Sequence, residues 1–308
     1  MALLIVLIGL VLLVLGGDAL VRGSVSLSLR MGLSALIVSL TVVAFGTSAP
    51  ELLISIQAGL DGVPQLAIGN VVGSNTANIL LVLGVPALAF GIFTEGTDTR
   101  RDFSLMIGAS LLFILLCATM PFGPTTAMVL LTTMVAILGV TVWKAQQPAE
   151  RSDPDGLEGS DDPLWKSIAF LLAGIVALPL GAKLLVDGSI VVATRFGLSE
   201  AVIGLTIVAI GTSLPELATT FMAALRKQAD VAIGNVLGSN MFNLLLIGGA
   251  AAFFGPIEID PQFLKLDLWI MLAASLAVIP YVFYRIHFTR VWGFVFCFCY
   301  AAYMWAIL

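Results

Sequence analysis

The sequence has few charged residues and no basic tract, and both scarcities exclude classes of protein. Asp, Glu, Lys and Arg make up only 11% of the 308 residues, whereas hydrophobic residues make up 59%. A soluble domain cannot cover so much apolar surface, so lipid must solvate much of the chain. Without a basic tract, nucleic acid is not expected as a partner.

Thiols and imidazoles are equally scarce. The three cysteines, Cys117, Cys297 and Cys299, lie in apolar segments, where we expect small buried hydrophobes. The single histidine, His287, falls at the end of a predicted helix beside basic residues. A zinc or copper site is therefore not expected. No cofactor motif is present, and Ser48 and Ser213 have no His or Lys base near them in sequence, so the chain is not expected to be an enzyme.

Long apolar runs fill nearly the whole sequence, and the strict alternation of a membrane β-barrel is absent. One crossing of the hydrocarbon layer by a helix takes about 20 residues, so the runs leave room for roughly ten helices. The fold class predicted is an all-α polytopic membrane protein. The predicted spans are 2–28, 33–60, 65–91, 103–120, 124–145, 164–193, 198–225, 229–254, 264–284 and 288–307.

The chain repeats itself at a constant offset of 165 residues, which indicates an internal duplication. The first repeat covers 1–145 and the second 164–308, and an acidic linker, 146–163, joins them. Five helices per repeat force the two copies into opposite orientations across the membrane, as in many secondary transporters. The segments that match without a gap are 15–24 with 180–189, 30–34 with 195–199, 46–51 with 211–216, and 69–78 with 234–243.

The distribution of Lys and Arg predicts the orientation. If the N-terminus lies outside, only Arg195 and Lys265 fall clearly on the outer side. The other loop cations then lie at or near the cytoplasmic side, as does the acidic linker. Both termini are thus expected outside the cell membrane. The predicted cytoplasmic cations are Arg30, Arg100, Arg101, Lys144, Arg151, Lys166, Arg226, Lys227, Arg285 and Arg290.

Two pairs of opposite charges lie inside predicted spans. Asp18 and Arg22 are four residues apart, as are Lys183 and Asp187, so each pair shares one helical face and can neutralise itself locally. The order of signs is reversed between the repeats. A structural role, in which paired charges are tolerated near a helix end, is favoured over a role in transport.

Glu51 and Glu216 have no cation at helical spacing, and they occupy equivalent positions in Gly-Thr-Ser-x-Pro-Glu. An unpaired carboxylate within a membrane should face a cavity or a cation. Pro50 and Pro215 break the helix and release backbone oxygens, which are tolerated at that depth only around a cavity or an ion. Hydroxyl, carbonyl and carboxylate oxygens suit hard cations such as Ca²⁺ and Na⁺.

Gly-Thr-Ser-x-Pro-Glu followed by Gly-Asn-Val-x-Gly-Ser-Asn, present in both halves, resembles the α-repeats of the sodium/calcium exchanger family of calcium:cation antiporters. The resemblance implies exchange of Na⁺ for Ca²⁺ across the membrane by alternating access, with sliding of spans 1 and 6. It also implies an ion site at mid-membrane. The implied ligands are Glu51, Glu216, Thr47 and Thr212 for Ca²⁺, Ser48, Ser74, Ser213 and Ser239 with the carbonyls of Ala44 and Ala209 for Na⁺, and Asn78 and Asn243 at the centre.

The sequence departs from the family pattern at one position. Many members carry an acid where this chain has Asn78 or Asn243, so only Glu51 and Glu216 supply formal charge here. Two nearby carboxylates should also attract protons in competition with cations. The alternatives left open are an H⁺/Ca²⁺ exchanger of the same superfamily and, less favoured, a cation channel. The bilayer and the ions are the expected partners, and the chain is expected to work as a monomer.

Overall fold

A computed structural model describes residues 2–61, 65–93, 98–145, 163–196, 209–253, 257, 259, 261, 263–284 and 286–307. All regular structure in these residues is helical; two isolated antiparallel bridges, Ile92 with Phe288 and Phe122 with Ile257, join loops. The helices of the first half are α1 (Ala2–Met31), α2 (Ala35–Val38), α3 (Ala44–Thr47), α4 (Ala49–Leu60), α5 (Gln65–Ala77), α6 (Gly84–Phe90), α7 (Arg100–Thr119) and α8 (Pro124–Ala145).

The described part of the second half is also helical. Its described helices are α9 (Leu164–Arg195), α10 (Ala209–Gly211), α11 (Leu214–Leu225), α12 (Ala229–Met241), α13 (Gly248–Phe253), α14 (Leu268–Leu276), α15 (Ile279–Phe283) and α16 (Arg290–Ile307). Four π-helical segments connect shorter helices into longer rods. They are π1 (Ser39–Val43), π2 (Asn78–Val82), π3 (Phe242–Ile247) and π4 (Phe263–Asp267).

The all-helical membrane fold predicted from the sequence is confirmed. Seven helices or continuous helical rods in the described residues are long and apolar enough to cross a membrane, and the bent pair 35–47 and 49–60 makes an eighth. The count of ten spans stays a prediction, because most of the linker and the first part of the seventh predicted span lie outside the described residues.

Local sequence explains where several helices begin and end. The hydroxyl of Ser34 accepts a hydrogen bond from the Ile37 amide at 3.3 Å and caps α2. Pro124 opens α8, at the position where a missing N–H costs nothing. Gly91 ends α6 with φ of +72°, a left-handed conformation that favours glycine. These three helix ends are therefore set by ordinary capping residues.

The two longest helices, α1 and α9, pack against each other along a row of glycines. A Cβ on Gly9 would lie 2.7 Å from the Gly181 carbonyl oxygen, and one on Gly174 would lie 2.8 Å from that of Gly16. Residues near the start of α1 contact residues further along α9, and later residues of α1 contact earlier residues of α9, so the two helices are antiparallel. Because α9 is the repeat equivalent of α1, this pair has the relation that inverted repeats require. Small residues allow this close approach of backbones.

The centre of the molecule is formed by α5 and α12 with the π segments that follow them. In the most apolar windows of these rods, 78% and 83% of the residues are buried. Phe113 and Leu130 from α7 and α8 pack against Leu244 and Leu245 of π3 in the main apolar cluster. The polar residues of α5 and α12 are thus enclosed on most sides by other helices rather than by lipid.

The predicted local ion pairs are confirmed. Arg22 Nε lies 2.9 Å from Asp18 Oδ2, and Lys183 Nζ lies 3.0 Å from Asp187 Oδ2. Glu51 and Glu216 form no salt bridge with any residue that the structure describes. The carboxylates of α1 and α9 are thus paired with cations, whereas Glu51 on α4 and Glu216 on α11 have no such pair within the described residues.

Candidate functional site

Each glutamate follows a break in a helical rod. The first half is interrupted at Ser48 and the second at Ser213, and both residues have φ of −85° and ψ of 4°. The axes on either side of the first break differ by 44°. Pro50 and Pro215 occupy the first turn of the new helix, where their missing N–H removes no helical hydrogen bond. The break predicted from the two prolines is therefore confirmed.

Glu51 and Glu216 lie in the first turn of α4 and α11. The N-terminus of a helix carries a partial positive charge, so this position favours a carboxylate. Their relative exposures are only 1% and 0%. Two carboxylates are thus held away from water with no salt bridge to any residue that the structure describes, although burial of an unpaired charge is strongly unfavourable.

Residues from the two halves meet directly around Glu216. Ser48 Oγ donates to Glu216 Oε1 at 3.0 Å, and Ser239 Oγ contacts the same oxygen at 3.5 Å. The hydroxyls of Thr47 and Ser239 lie 3.3 Å apart. Thr47 Oγ1 also lies 3.2 Å from the Ala44 carbonyl oxygen. Hydroxyls of both repeats therefore surround one carboxylate.

Asparagines connect the central helices. Asn235 Nδ2 donates to the Glu216 carbonyl at 3.3 Å and to Thr220 Oγ1 at 3.1 Å, and its Oδ1 lies 3.2 Å from Thr47 Oγ1. Asn78 Nδ2 donates to Asn240 Oδ1 at 3.1 Å. Asn235 and Asn240 thus join helices through these hydrogen bonds.

Several buried polar atoms in this region have no hydrogen-bond partner in the described structure. Both carboxylate oxygens of Glu51 are among them, as is Oε2 of Glu216. An unsatisfied buried polar group costs about 1–3 kcal/mol, and more when it is charged, so a native protein retains a cluster of them only for a reason. The others nearby in the two repeat motifs are Ser55 Oγ, Asn70 Nδ2, Asn75 Oδ1, Asn78 Oδ1, Ser213 Oγ, and Oδ1 and Nδ2 of Asn243.

The chemistry of these groups limits what they can bind. No three His, Cys, Asp or Glu side chains converge as a metal cluster within the described ranges. Oxygen from hydroxyls, amides and two carboxylates is what remains, and hard cations prefer such ligands. The region can thus hold cations whose charge two carboxylates balance.

The predicted ligands are placed to different degrees. Direct contacts join Ala44, Thr47, Ser48, Glu216 and Ser239. Thr212 is half-buried in the break, and Ala209 opens α10. The remaining predicted ligands are buried and make no hydrogen bond to that group within the described residues: Glu51, Ser74, Asn78, Ser213 and Asn243.

Sequence reasoning missed Thr220, which receives the Asn235 amide one helical turn after Glu216. A signal was present, because Ser55 and Thr220 both follow their glutamate by four residues and so share its helical face. The π segments that follow α5 and α12 were also missed, and they begin at or next to Asn78 and Asn243. π turns inside helices often occur at functional sites.

Comparisons with known proteins agree with this architecture. The family model described as sodium/calcium exchanger protein matches residues 1–143 and 166–308. The putative antiporter CaxA of Alkalimonas amylolytica is 38% identical over 90% of this chain and 88% of its own. The sodium/calcium exchanger MaX1 of Methanosarcina acetivorans is 32% identical over 91% of this chain and 90% of its own.

A solved structure has the same fold. The sodium-calcium exchanger NCX_Mj, soaked without Na⁺ and Ca²⁺, superposes with a TM-score of 0.86 at 28% identity. The superposition covers 100% of this chain and 99% of that one. Its extent includes both halves and the breaks that carry the two glutamates.

Proposed function

Because the chain belongs to the sodium/calcium exchanger family, and is thus a cation/calcium antiporter rather than an enzyme, we propose that it exchanges Na⁺ for Ca²⁺ by alternating access. Glu51 and Glu216 hold the transported ions near the middle of the membrane. The family establishes the class of transporter, and the ion pairing and the ligands are the substance of the proposal.

The observation that carries the proposal is the pair of buried, unpaired carboxylates at equivalent helix breaks. Three of their four side-chain oxygens have no hydrogen-bond partner in the described structure. A bound cation satisfies such oxygens and removes the cost of burying their charge. Two carboxylates from opposite repeats give a site that both halves must form together, as inverted-repeat transporters require.

The surrounding oxygens divide into roles by position. Thr47 and Thr212 precede the breaks and serve Ca²⁺ together with the two glutamates. Asn78 and Asn243 lie one on each central rod and complete the middle of the site. The Na⁺ positions use Ser48, Ser74, Ser213 and Ser239 with the carbonyls of Ala44 and Ala209.

Charge balance explains why the two ions exchange rather than bind together. Two carboxylates neutralise one Ca²⁺ or two Na⁺, so the buried site cannot hold both without an excess of positive charge. Occupancy by one ion therefore requires release of the other, which is the condition for antiport. With Asn at 78 and 243, any further Na⁺ depends on neutral ligands alone.

The proposal is tested by Ca²⁺ uptake into proteoliposomes under separately imposed Na⁺, K⁺ and H⁺ gradients. We expect uptake to follow the Na⁺ gradient. Glu51→Gln and Glu216→Gln each leave one carboxylate in the site, which cannot neutralise the two charges of a buried Ca²⁺. The Ca²⁺ flux should therefore fall about a hundredfold or more. Asp98→Asn, which removes an exposed carboxylate before α7, is the matched control and should keep the parent rate.

Two results would contradict the proposal. Parent-level flux in either glutamine variant would exclude the glutamates as ion ligands. Ca²⁺ uptake driven by a pH gradient alone, with no stimulation by Na⁺, would identify an H⁺/Ca²⁺ exchanger instead.

A further inference from the structure

Asp18 on α1 is bound by two arginines, one of them from a distant part of the chain. Arg22 Nε lies 2.9 Å from Oδ2, and Arg226 Nε donates to Oδ1 at 2.5 Å. Arg226 Nη2 contacts the same Oδ1. Arg226 directly follows α11, the helix that begins with Glu216. These three residues, the first charge set, thus join α1 to the far end of a glutamate-bearing helix.

The internal repeat generates a second set with every sign reversed. At the offset of 165, Asp18 and Arg22 correspond to Lys183 and Asp187, and Arg226 corresponds to Asp61. Asp61 directly follows α4, the helix that begins with Glu51. The second charge set, Lys183, Asp187 and Asp61, is therefore as complementary as the first. Reversal at all three positions preserves attraction in each set, which a change at one position would have lost.

Only half of the second charge set is formed in this structure. Lys183 Nζ lies 3.0 Å from Asp187 Oδ2 on its own helix. Asp61 Oδ1 instead accepts from Gln57 Nε2 at 2.8 Å, also within its own helix. No ion pair joins Lys183 to Asp61 in the residues described, although Asp18 and Arg226 are joined at the equivalent place. The two halves of the molecule thus differ at equivalent residues.

Asp18 and Lys183, the central residues of the two charge sets, lie on α1 and α9, and these two helices pack as a pair. Most of the packing of α1 and α9 is with each other, along backbones that approach through Gly9, Gly174 and Gly181. Contacts of this unit with the glutamate-bearing helices are fewer. α1 also packs closely on α11, where a Cβ on Gly17 would lie 2.8 Å from the Ala218 carbonyl oxygen. A displacement of the pair relative to α4 and α11 changes the distances within both charge sets at once.

We infer that one ion pair between helices in each charge set acts as a tie and that the two ties form alternately. The tie Asp18–Arg226 is closed when the tie Lys183–Asp61 is open, and the reverse. With the predicted orientation, Arg226 lies at the cytoplasmic side and Asp61 at the outer side. The pair that is closed then determines to which side the ion site opens. The four residues are positioning residues for the exchange cycle, and this inference rests on the proposed alternating access. Partly exposed ion pairs are weak, so each can break within a cycle.

The test is disulfide formation across the open tie. In a background without Cys117, Cys297 and Cys299, the double variant Lys183→Cys with Asp61→Cys is oxidised in membranes and its rate of cross-linking is followed. We expect slow cross-linking, because the two residues are separated in the state described. Adding Arg226→Gln removes the closed tie and should raise the rate about fivefold.

Two controls distinguish a specific effect of Arg226→Gln on the Lys183–Asp61 tie from a general increase in helix mobility. Leu184→Cys with Asp61→Cys places the thiol about 100° further around α9 and should not respond to Arg226→Gln. The triple change Asp18→Lys, Arg22→Asp and Arg226→Asp gives the first set the signs of the second. This variant restores attraction and should return the cross-linking rate to that of the parent.

The inference is overturned if Lys183→Cys with Asp61→Cys never cross-links, or if Arg226→Gln leaves its rate unchanged. It is also overturned if the triple change behaves like Arg226→Gln. Cross-linking is measured without an ion gradient, so it does not depend on whether Na⁺ or H⁺ drives Ca²⁺ flux. Conversely, if the parent protein shows no Na⁺-driven Ca²⁺ flux but the cross-linking rates change as expected, only the proposed coupling of Na⁺ to Ca²⁺ is rejected.

Discussion

Side chains that the repeat makes equivalent do not have equivalent surroundings. Asn78 donates to Asn240, whereas neither polar atom of Asn243 has a partner in the described structure. Ser48 donates to Glu216, whereas the hydroxyl of Ser213 is buried without a partner. The sequence predicts these residues by position, but it cannot predict the difference, because both copies carry the same side chains. The asymmetry arises from the conformation in which the two halves meet.

This difference predicts unequal costs of truncation at the two asparagines. Asn78→Ala leaves Asn240 Oδ1 buried without its donor, whereas Asn243→Ala removes two atoms that have no partner. The volume lost is the same, so the free energy of unfolding should fall by about 1–3 kcal/mol more for Asn78→Ala. Thermal or denaturant unfolding in detergent, without Ca²⁺ and Na⁺, measures the difference. Equal losses would contradict the assigned hydrogen bond.

Helix breaks at proline could be predicted from the sequence, whereas the π segments could not. The break before Glu51 was predictable because Pro50 removes an N–H and clashes with the preceding turn. The π segments have no such marker, since Asn78–Val82 reads like any apolar helix. The glycine row between α1 and α9 was visible in the sequence at intervals of seven residues. Its partner was not, because periodicity identifies a packing face and not the helix that covers it.

The glycine row predicts a large effect of one methyl group. A Cβ on Gly181 would lie 2.9 Å from Gly9 O and 2.9 Å from Leu13 N, both backbone atoms that cannot rotate away. Gly181→Ala should therefore lower the free energy of unfolding by about 1–3 kcal/mol.

Gly108→Ala is the matched control, because Gly108 is exposed on α7 and no described atom lies within 4 Å of an added Cβ. It should be neutral or slightly stabilising, since alanine is the better helix former. If both variants lose the same stability in detergent unfolding, the close approach of α1 and α9 is wrong.

The molecule as a whole was predictable to the level of its class. Apolar run lengths, the offset of 165 and the two glutamate motifs suffice for an all-helical membrane antiporter of this family. The conformation was not predictable, because one sequence encodes every state of a transport cycle. The orientation, the number of spans and the monomeric state remain predictions.

The predicted orientation can be tested by labelling thiols from one side of the membrane. In a cysteine-free background, Met120→Cys lies at the outer end of predicted span four, 103–120, and should react with an impermeant maleimide on intact cells. Ser152→Cys lies in the acidic linker and should react only after the membrane is made permeable. The opposite pattern would reverse the predicted topology and place Arg226 outside.

The π segments π2 and π3 bear on the history of the molecule. They start at Asn78 and at Phe242, within one residue of equivalent positions, and the repeat aligns through both without a gap. π turns are rare inside α-helices. The simplest order of events is that a single ancestral half acquired the π turn first and then duplicated. On this order, the irregularity was part of an ancestral half that paired with a second copy of itself to complete a site.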